Sequence, residues 1–203
     1  MMNPLKLMLP LTALALSACN PTAPLPDERP PLEGATIGGP FELTDSSGKP
    51  TKWSDFNGKY RIVYFGFAFC PDICPTDLAR TTLGLQNFAK SDRERAALIQ
   101  PIFITIDPAR DTPEVVGEFV SGFHPDGVPN QLIGLTGSEE DIKAAAALFG
   151  IPFSRGKDMP GGGYDMEHYA ITYLFDPEGK PLALLPTDQG PDAVAAELGK
   201  WVH

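Results

Sequence analysis

The chain has 203 residues, 42% of them hydrophobic and 21% charged, a composition that suits one well-buried domain rather than two. With a formal net charge of −10 and no cluster of Lys and Arg that could track phosphates, the chain is not expected to have a nucleic-acid partner. The same acidity would be repelled by an anionic membrane, so any attachment comes from a lipid or an apolar segment.

Residues 1–18 read as a signal peptide. Lys6 supplies the positive start, and Leu7 to Ala18 form an apolar stretch too short to cross a bilayer comfortably. The stretch ends in Leu16-Ser17-Ala18-Cys19, which resembles the bacterial lipobox and makes Cys19 the candidate lipidation site. The alternative is an ordinary signal peptide with a chance cysteine at the cut. Residues 19–36 carry Pro21, Pro24, Pro26, Pro30 and Pro31 and are predicted to be an extended tether that joins no core. Residues 37–203 form the one domain.

Within that domain, Phe41 to Leu43 and the cluster Asp45-Ser46-Ser47-Gly48 predict a strand and turn. Arg61 to Phe67 is a β-branched and aromatic run, the mark of a buried central strand. Cys70-Pro71-Asp72-Ile73-Cys74-Pro75 follows, then a predicted helix from Thr76 to about Ala89 with Pro75 at its first position. Ile102 to Ile106 reads as a second buried strand. Thr112 is the expected N-cap of another helix, with Pro113 behind it. Gln131 to Leu135 predicts a short strand, and Ser138 with Asp141 three residues on marks a further helix start. Ile171 to Phe175 and Leu182 to Leu185 flank Asp176-Pro177-Glu178-Gly179-Lys180, a hairpin turn. A last helix is expected from Pro191 to Trp201. Alternating strands and helices followed by a hairpin and a terminal helix indicate an α/β three-layer sandwich. A cysteine pair between a buried strand and its following helix is where thioredoxin-like folds carry a redox site.

Cys70 and Cys74 are four apart, a spacing that on a helical turn puts both sulfurs on one face. Two thiolates there could close a disulfide or grip one metal ion, and a helix N-terminus behind them favours the thiolate form. A merely structural disulfide would close a very short loop and so stabilise little. Soft sulfur ligands suit Cu(I), and imidazole suits it too. Of the three histidines, His124 lies in a Phe-His-Pro loop, His203 is the chain end, and His168 precedes a predicted core strand after the loop-like Gly161 to Tyr164. On these grounds alone the third ligand stays open. Met159 and Met166 lie near His168, where a thioether could bind Cu(I) but more often packs.

The segment Tyr64-Phe-Gly-Phe-Ala-Phe-Cys70-Pro-Asp-Ile-Cys74-Pro-Thr resembles the copper-site segment of the Sco/SenC family. Asp107-Pro-Ala-Arg-Asp-Thr-Pro-Glu114, Gly134-Leu-Thr-Gly137, Met166-Glu-His168 and Tyr173-Leu-Phe-Asp-Pro-Glu-Gly179 are similar to its later motifs, in family order. The resemblance implies a thioredoxin-like fold and one copper ion per chain on Cys70, Cys74 and His168. It also implies work on the dinuclear copper centre of cytochrome c oxidase subunit II, by delivering copper, reducing its cysteines, or both. Further partners would be a periplasmic copper donor or thiol reductant. The expected location is the periplasmic face of a bacterial membrane, the inner one, with the lipid on Cys19. Two positions depart from the family pattern of Asp before the histidine and Ser or Thr after it. Glu167 is expected to accept the imidazole hydrogen bond, and Tyr169 to narrow the site. A metallochaperone competes here with a thiol–disulfide reductase on the same cysteines. Peroxide reduction is disfavoured, because Thr precedes neither body cysteine in a Thr-x-x-Cys pattern.

Overall fold

The computed structural model describes residues 29–160 and 162–203. Cys19, the expected signal peptide and the first part of the predicted tether lie outside these residues. Strands β1 (Glu42–Asp45), β2 (Pro50–Lys52), β3 (Tyr60–Gly66), β4 (Ile99–Thr105), β5 (Ile133–Thr136), β8 (Thr172–Phe175) and β9 (Pro181–Leu184) form one seven-stranded sheet in the order β2-β1-β5-β4-β3-β8-β9. β6 (Phe153–Asp158) and β7 (Tyr164–His168) form a separate antiparallel pair. The helices are α1 (Ile73–Ser91), α2 (Arg93–Ala96), α3 (Pro113–Ser121), α4 (Glu139–Leu148) and α5 (Pro191–Trp201).

The centre is a thioredoxin-like arrangement. β3 pairs with β4 in parallel across α1, and with β8 antiparallel, and β8 turns back into β9 before α5. β3 is buried along its whole length, as a continuous apolar run requires. Its Tyr60 and Ile62 pack with Leu85, Phe88, Val194, Leu198 and Trp201 of α1 and α5. Its Val63 and Phe65 join Val116, Val120, Ile142, Ala145 and Ala146 of α3 and α4 in a second cluster. The three layers predicted from the alternation of elements are those observed.

Local signals place the elements to within a few residues. The Thr112 hydroxyl caps α3 by accepting from the Val115 amide, and Ser138 caps α4 by accepting from the Asp141 amide. In the hairpin turn the Lys180 amide donates to the Asp176 carboxylate at 2.7 Å. Three differences stand out. α1 begins at Ile73, so Pro75 lies inside the first turn rather than opening the helix; its missing N–H costs nothing there. β6 and β7 were not expected. Phe153-Ser-Arg-Gly-Lys-Asp158 shows no apolar alternation, and most of its residues are exposed. The tether also ends early. Leu32 and Ile37 pack against the core, and the Leu32 amide donates to the Leu182 carbonyl, so the body starts before residue 37. No helix among the described residues is long and apolar enough to cross a membrane.

At Gly134 in β5, α3 comes so close that an added Cβ would stand 2.2 Å from Val116 Cγ1. Gly134→Ala should destabilise the fold by about 1–3 kcal/mol, seen as a lower denaturant midpoint. Pairing it with Val116→Ala, which vacates that space, should recover part of the loss.

Candidate metal centre

β3 ends at Gly66, and the chain then runs through Phe67 and exposed Phe69 to Cys70 before α1 begins. The two cysteines do not share a helical face. Cys70 precedes the helix, whereas Cys74 is its second residue. They meet because the Asp72 side chain at the N-cap makes no capping bond, leaving the first amides of α1 free for another acceptor. The Cys74 amide donates to Cys70 Sγ at 3.3 Å. The sulfur thus takes the place of a capping oxygen.

This placement splits the pair. The side-chain hydrogen bond from Cys74, with the amides of Asp72, Cys74 and Ile73, brings the half-buried Cys70 thiol down to about 6 against the opposing pull of burial. The hydrogen bond to Cys70 and its own burial push the Cys74 thiol well up. These opposite shifts favour a thiolate at Cys70 beside a thiol at Cys74. Both are free cysteines. Cys74 sits over Tyr64 and Gly66. A Cβ on Gly66 would lie 3.0 Å from Cys74 Sγ and 2.8 Å from the Tyr64 ring, so only glycine leaves room for the sulfur. Burial holds the Tyr64 phenol far above its usual range.

His168 arrives from β7. Its Nε2 lies 3.7 Å from Cys74 Sγ, and its Nδ1 lies 3.1 Å from the Tyr169 carbonyl oxygen. A carbonyl can only accept, so Nδ1 carries the proton and Nε2 presents its lone pair to the sulfur. Burial lowers the His168 pKa, against the Tyr169 carbonyl, Asp165 and Asp77, and keeps the ring in the neutral form that a metal needs. The Phe67 ring meets the imidazole edge-on, with centroids 6.1 Å apart. The two departures beside the histidine act otherwise than expected. Glu167 is exposed and does not orient the ring; the backbone of Tyr169 does. The Tyr169 side chain is 61% exposed and does not narrow the site.

The remaining candidates lie elsewhere. His124 is exposed and bonds the Leu132 carbonyl. His203 donates its backbone N–H to the Tyr60 hydroxyl, at the far end of β3 from the cysteines. Met166 is buried in the core, and Met159 sits in the turn at the opposite end of the hairpin from His168.

Two sulfurs and a neutral imidazole nitrogen make a soft donor set. Ligand bonds of about 2.0–2.3 Å put two donors of one ion roughly 3.5–4 Å apart. The spacing of Cys74 and His168 fits that range. Among the described residues no three His, Cys or acidic side chains already close into a cage; Cys70 stands one amide away from the facing pair.

A family profile described as SCO1/SenC matches residues 29–203. The chain belongs to the SCO1/SenC family. It is 43% identical over 145 residues to "Protein SCO2, mitochondrial" of Saccharomyces cerevisiae, covering 71% of this chain and 46% of that protein. It is 38% identical over 185 residues to a "SCO2-like protein" of Rickettsia felis, covering 89% of this chain and 85% of the relative. Among solved structures it resembles yeast Sco1 with copper bound, with a TM-score of 0.72 and 37% identity over 82% of this chain and 88% of that one. The chain spans about half the length of the two yeast relatives it matches.

In this SCO1/SenC member, Tyr64 and Gly66 lie in the segment that carries the family resemblance but were given no role of their own, and Asp77 was not singled out. Asp77 is a buried carboxyl in α1, raised by desolvation, whose charge acts on His168. Gly66 carried a readable signal, because a glycine inside an aromatic strand marks a close approach. Asp77 carried none.

The alkylation rate of the reduced, metal-free protein should rise with pH around a midpoint of about 6 and then level off. Cys70→Ser should remove that phase. A single phase near the ordinary thiol range in the parent would overturn the assignment of the thiolate to Cys70.

Proposed function

We propose that this chain carries one copper ion on Cys70, Cys74 and His168 and supplies it for assembly of the dinuclear copper centre of cytochrome c oxidase subunit II. The observation that carries the reading is the His168 imidazole, neutral and turned so that Nε2 faces Cys74 Sγ at 3.7 Å. A dithiol reductase needs no imidazole held against its buried sulfur. The donor set suits Cu(I), and the similarity to a copper-bound Sco1 supports the same metal. A cargo site must also release. Cys70 is the more exposed sulfur and is anionic near neutral pH, so an incoming thiolate can replace it as a ligand while Cys74 and His168 still hold the ion. We further propose that a lipid on Cys19 anchors the protein at the periplasmic face of the inner membrane, with the proline-rich segment as spacer.

A second reading rests on the same asymmetry of the cysteines. A half-exposed thiolate beside a buried thiol is the division of labour of a disulfide reductase. Cys70 would attack a disulfide in the subunit II copper site and form a mixed disulfide, expelling one partner thiolate. Cys74, losing its proton, would then attack Cys70 and release the second thiolate. The Cys70–Cys74 disulfide left behind needs a thiol reductant.

Anaerobic titration of the reduced protein should give one Cu(I) per chain, and oxidation of Cys70 and Cys74 to a disulfide should abolish binding. His168→Ala should lose most Cu(II) binding while retaining some Cu(I), because a two-thiolate site still suits Cu(I); His124→Ala should change neither. Parent-like binding of both states by His168→Ala would move the reductase to the front. Cys19→Ala should leave an unlipidated precursor, read by mass spectrometry, whose body still binds copper.

A further inference from the structure

The hairpin that carries His168 is poorly anchored by its backbone. β6 and β7 form their own two-stranded sheet, and among the described residues no main-chain hydrogen bond joins them to the seven-stranded one. An isolated two-stranded ribbon is marginal in water, so its place on the body is decided by side chains. β7 lays alternate residues on the body. Met166 is buried in the core, and His168 faces Cys74. Tyr164, four residues before His168 on the same face, reaches the loop after β4.

That loop grips it. The Tyr164 hydroxyl donates to Asp107 Oδ1 at 2.7 Å, and the other oxygen of the same carboxylate accepts from Arg110 Nε. The Arg110 guanidinium lies 3.7 Å from the centre of the Tyr164 ring, and that of Arg155, from β6, lies 4.3 Å from it. Asp107 is 3% exposed, so each of its oxygens depends on a protein partner. Arg110 also stands over Phe69, next to Cys70, at 5.2 Å. One turn of the same loop further on, Asp111 accepts from the Ala68 amide at 2.9 Å, two residues before Cys70. The loop therefore touches both ligand-bearing segments: the cysteine loop through Asp111 and Arg110, the histidine hairpin through Asp107 and Arg110.

We propose that the hydrogen bond from Tyr164 to Asp107 fixes the hairpin on the body so that His168 stands against Cys74, which makes Tyr164 and Asp107 positioning residues of the metal site. The apolar contacts of Met166 have no direction and allow the ribbon to slide or rock. A hydrogen bond to a buried carboxylate has direction, and losing it leaves an unpaired oxygen that draws in water. This inference rests on the reading of His168 as a ligand.

Tyr164→Phe tests it, since it keeps the ring and both cation contacts and removes only the hydroxyl. The metal-free readout is the imidazole of His168, labelled with nitrogen-15 in the reduced protein. The parent should show an ordered Nδ1–H tautomer, and Tyr164→Phe an averaged, more mobile ring. In the loaded protein, the thiolate-to-Cu(II) absorption band should shift and the Cu(II) Kd rise about tenfold, with the Cu(I) Kd moving less than about threefold. In a His168→Ala background the added Tyr164→Phe should change the Cu(II) Kd by less than about twofold, because the effect runs through His168. A ring as ordered as in the parent would overturn the proposal. So would an equal loss of Cu(II) affinity in both backgrounds, which would mark a general structural effect. If the parent bound no copper, the copper reading would fail, and the ring measurement would still decide the role of Tyr164.

Discussion

The site depends on the parallel pairing of β3 with β4. Their register runs from Tyr60 against Ile99 to Gly66 against Thr105, so both strands end on the same edge and release their loops side by side. The crossover through α1 makes this possible, and it aims the helix N-terminus at the edge where β3 ends. Asp111 then binds the two loops together. One of its oxygens accepts from the Thr105 hydroxyl at 2.6 Å and from the Ala68 amide at 2.9 Å. Its own carbonyl accepts from Thr136 on β5. Burial raises the Asp111 pKa, and these donors oppose that rise. Two donors thus converge on one oxygen of this enclosed carboxylate, while its other oxygen, Oδ1, is buried without a hydrogen-bond partner.

A second buried charge fixes the other side of β3. Arg61 is fully enclosed, stacks 4.3 Å from the Trp53 ring centre, and donates to Asn57 Oδ1 and to the Asp176 carbonyl. The Asp176 turn joins β8 to β9, and β8 follows His168 by four residues. Arg61 and Asp111 thus brace opposite ends of β3, one through the β8–β9 turn and the other through the cysteine loop. Each is a buried charge held by neutral hydrogen-bond partners, so removing such a partner leaves a buried polar group unsatisfied and destabilises the fold.

The chemistry of the site follows from an unequal environment for two identical side chains. Cys70 receives the amide of an incoming helix and stays open on one side, whereas Cys74 is enclosed by Tyr64, Gly66 and His168. Carrying a soft metal and reducing a disulfide draw on the same inequality. Each needs one sulfur that a partner can reach and one that it cannot. The imidazole held against the enclosed sulfur is the feature that tells the two proposed activities apart, since a disulfide reductase needs no such group.

Much of this was legible in the chain itself. The apolar runs of β3 and β4, the Thr112 and Ser138 caps and the Asp176 to Lys180 turn are local, because backbone sterics and short-range hydrogen bonds decide them within a few residues. The cysteine pair and its setting between strand and helix were equally plain, and the family resemblance singled out His168. The β6–β7 hairpin was not legible, since its first strand lacks alternation and owes its form to pairing with the second. Nor was the source of the imidazole's orientation, which came from the Tyr169 carbonyl instead of Glu167. Which residue types could hold a metal was set by the sequence, because donor chemistry belongs to the side chain. How Cys74 meets a histidine 94 positions away was decided only by tertiary structure, because that contact is the sum of a sheet register, a helix start and a hairpin held by side chains.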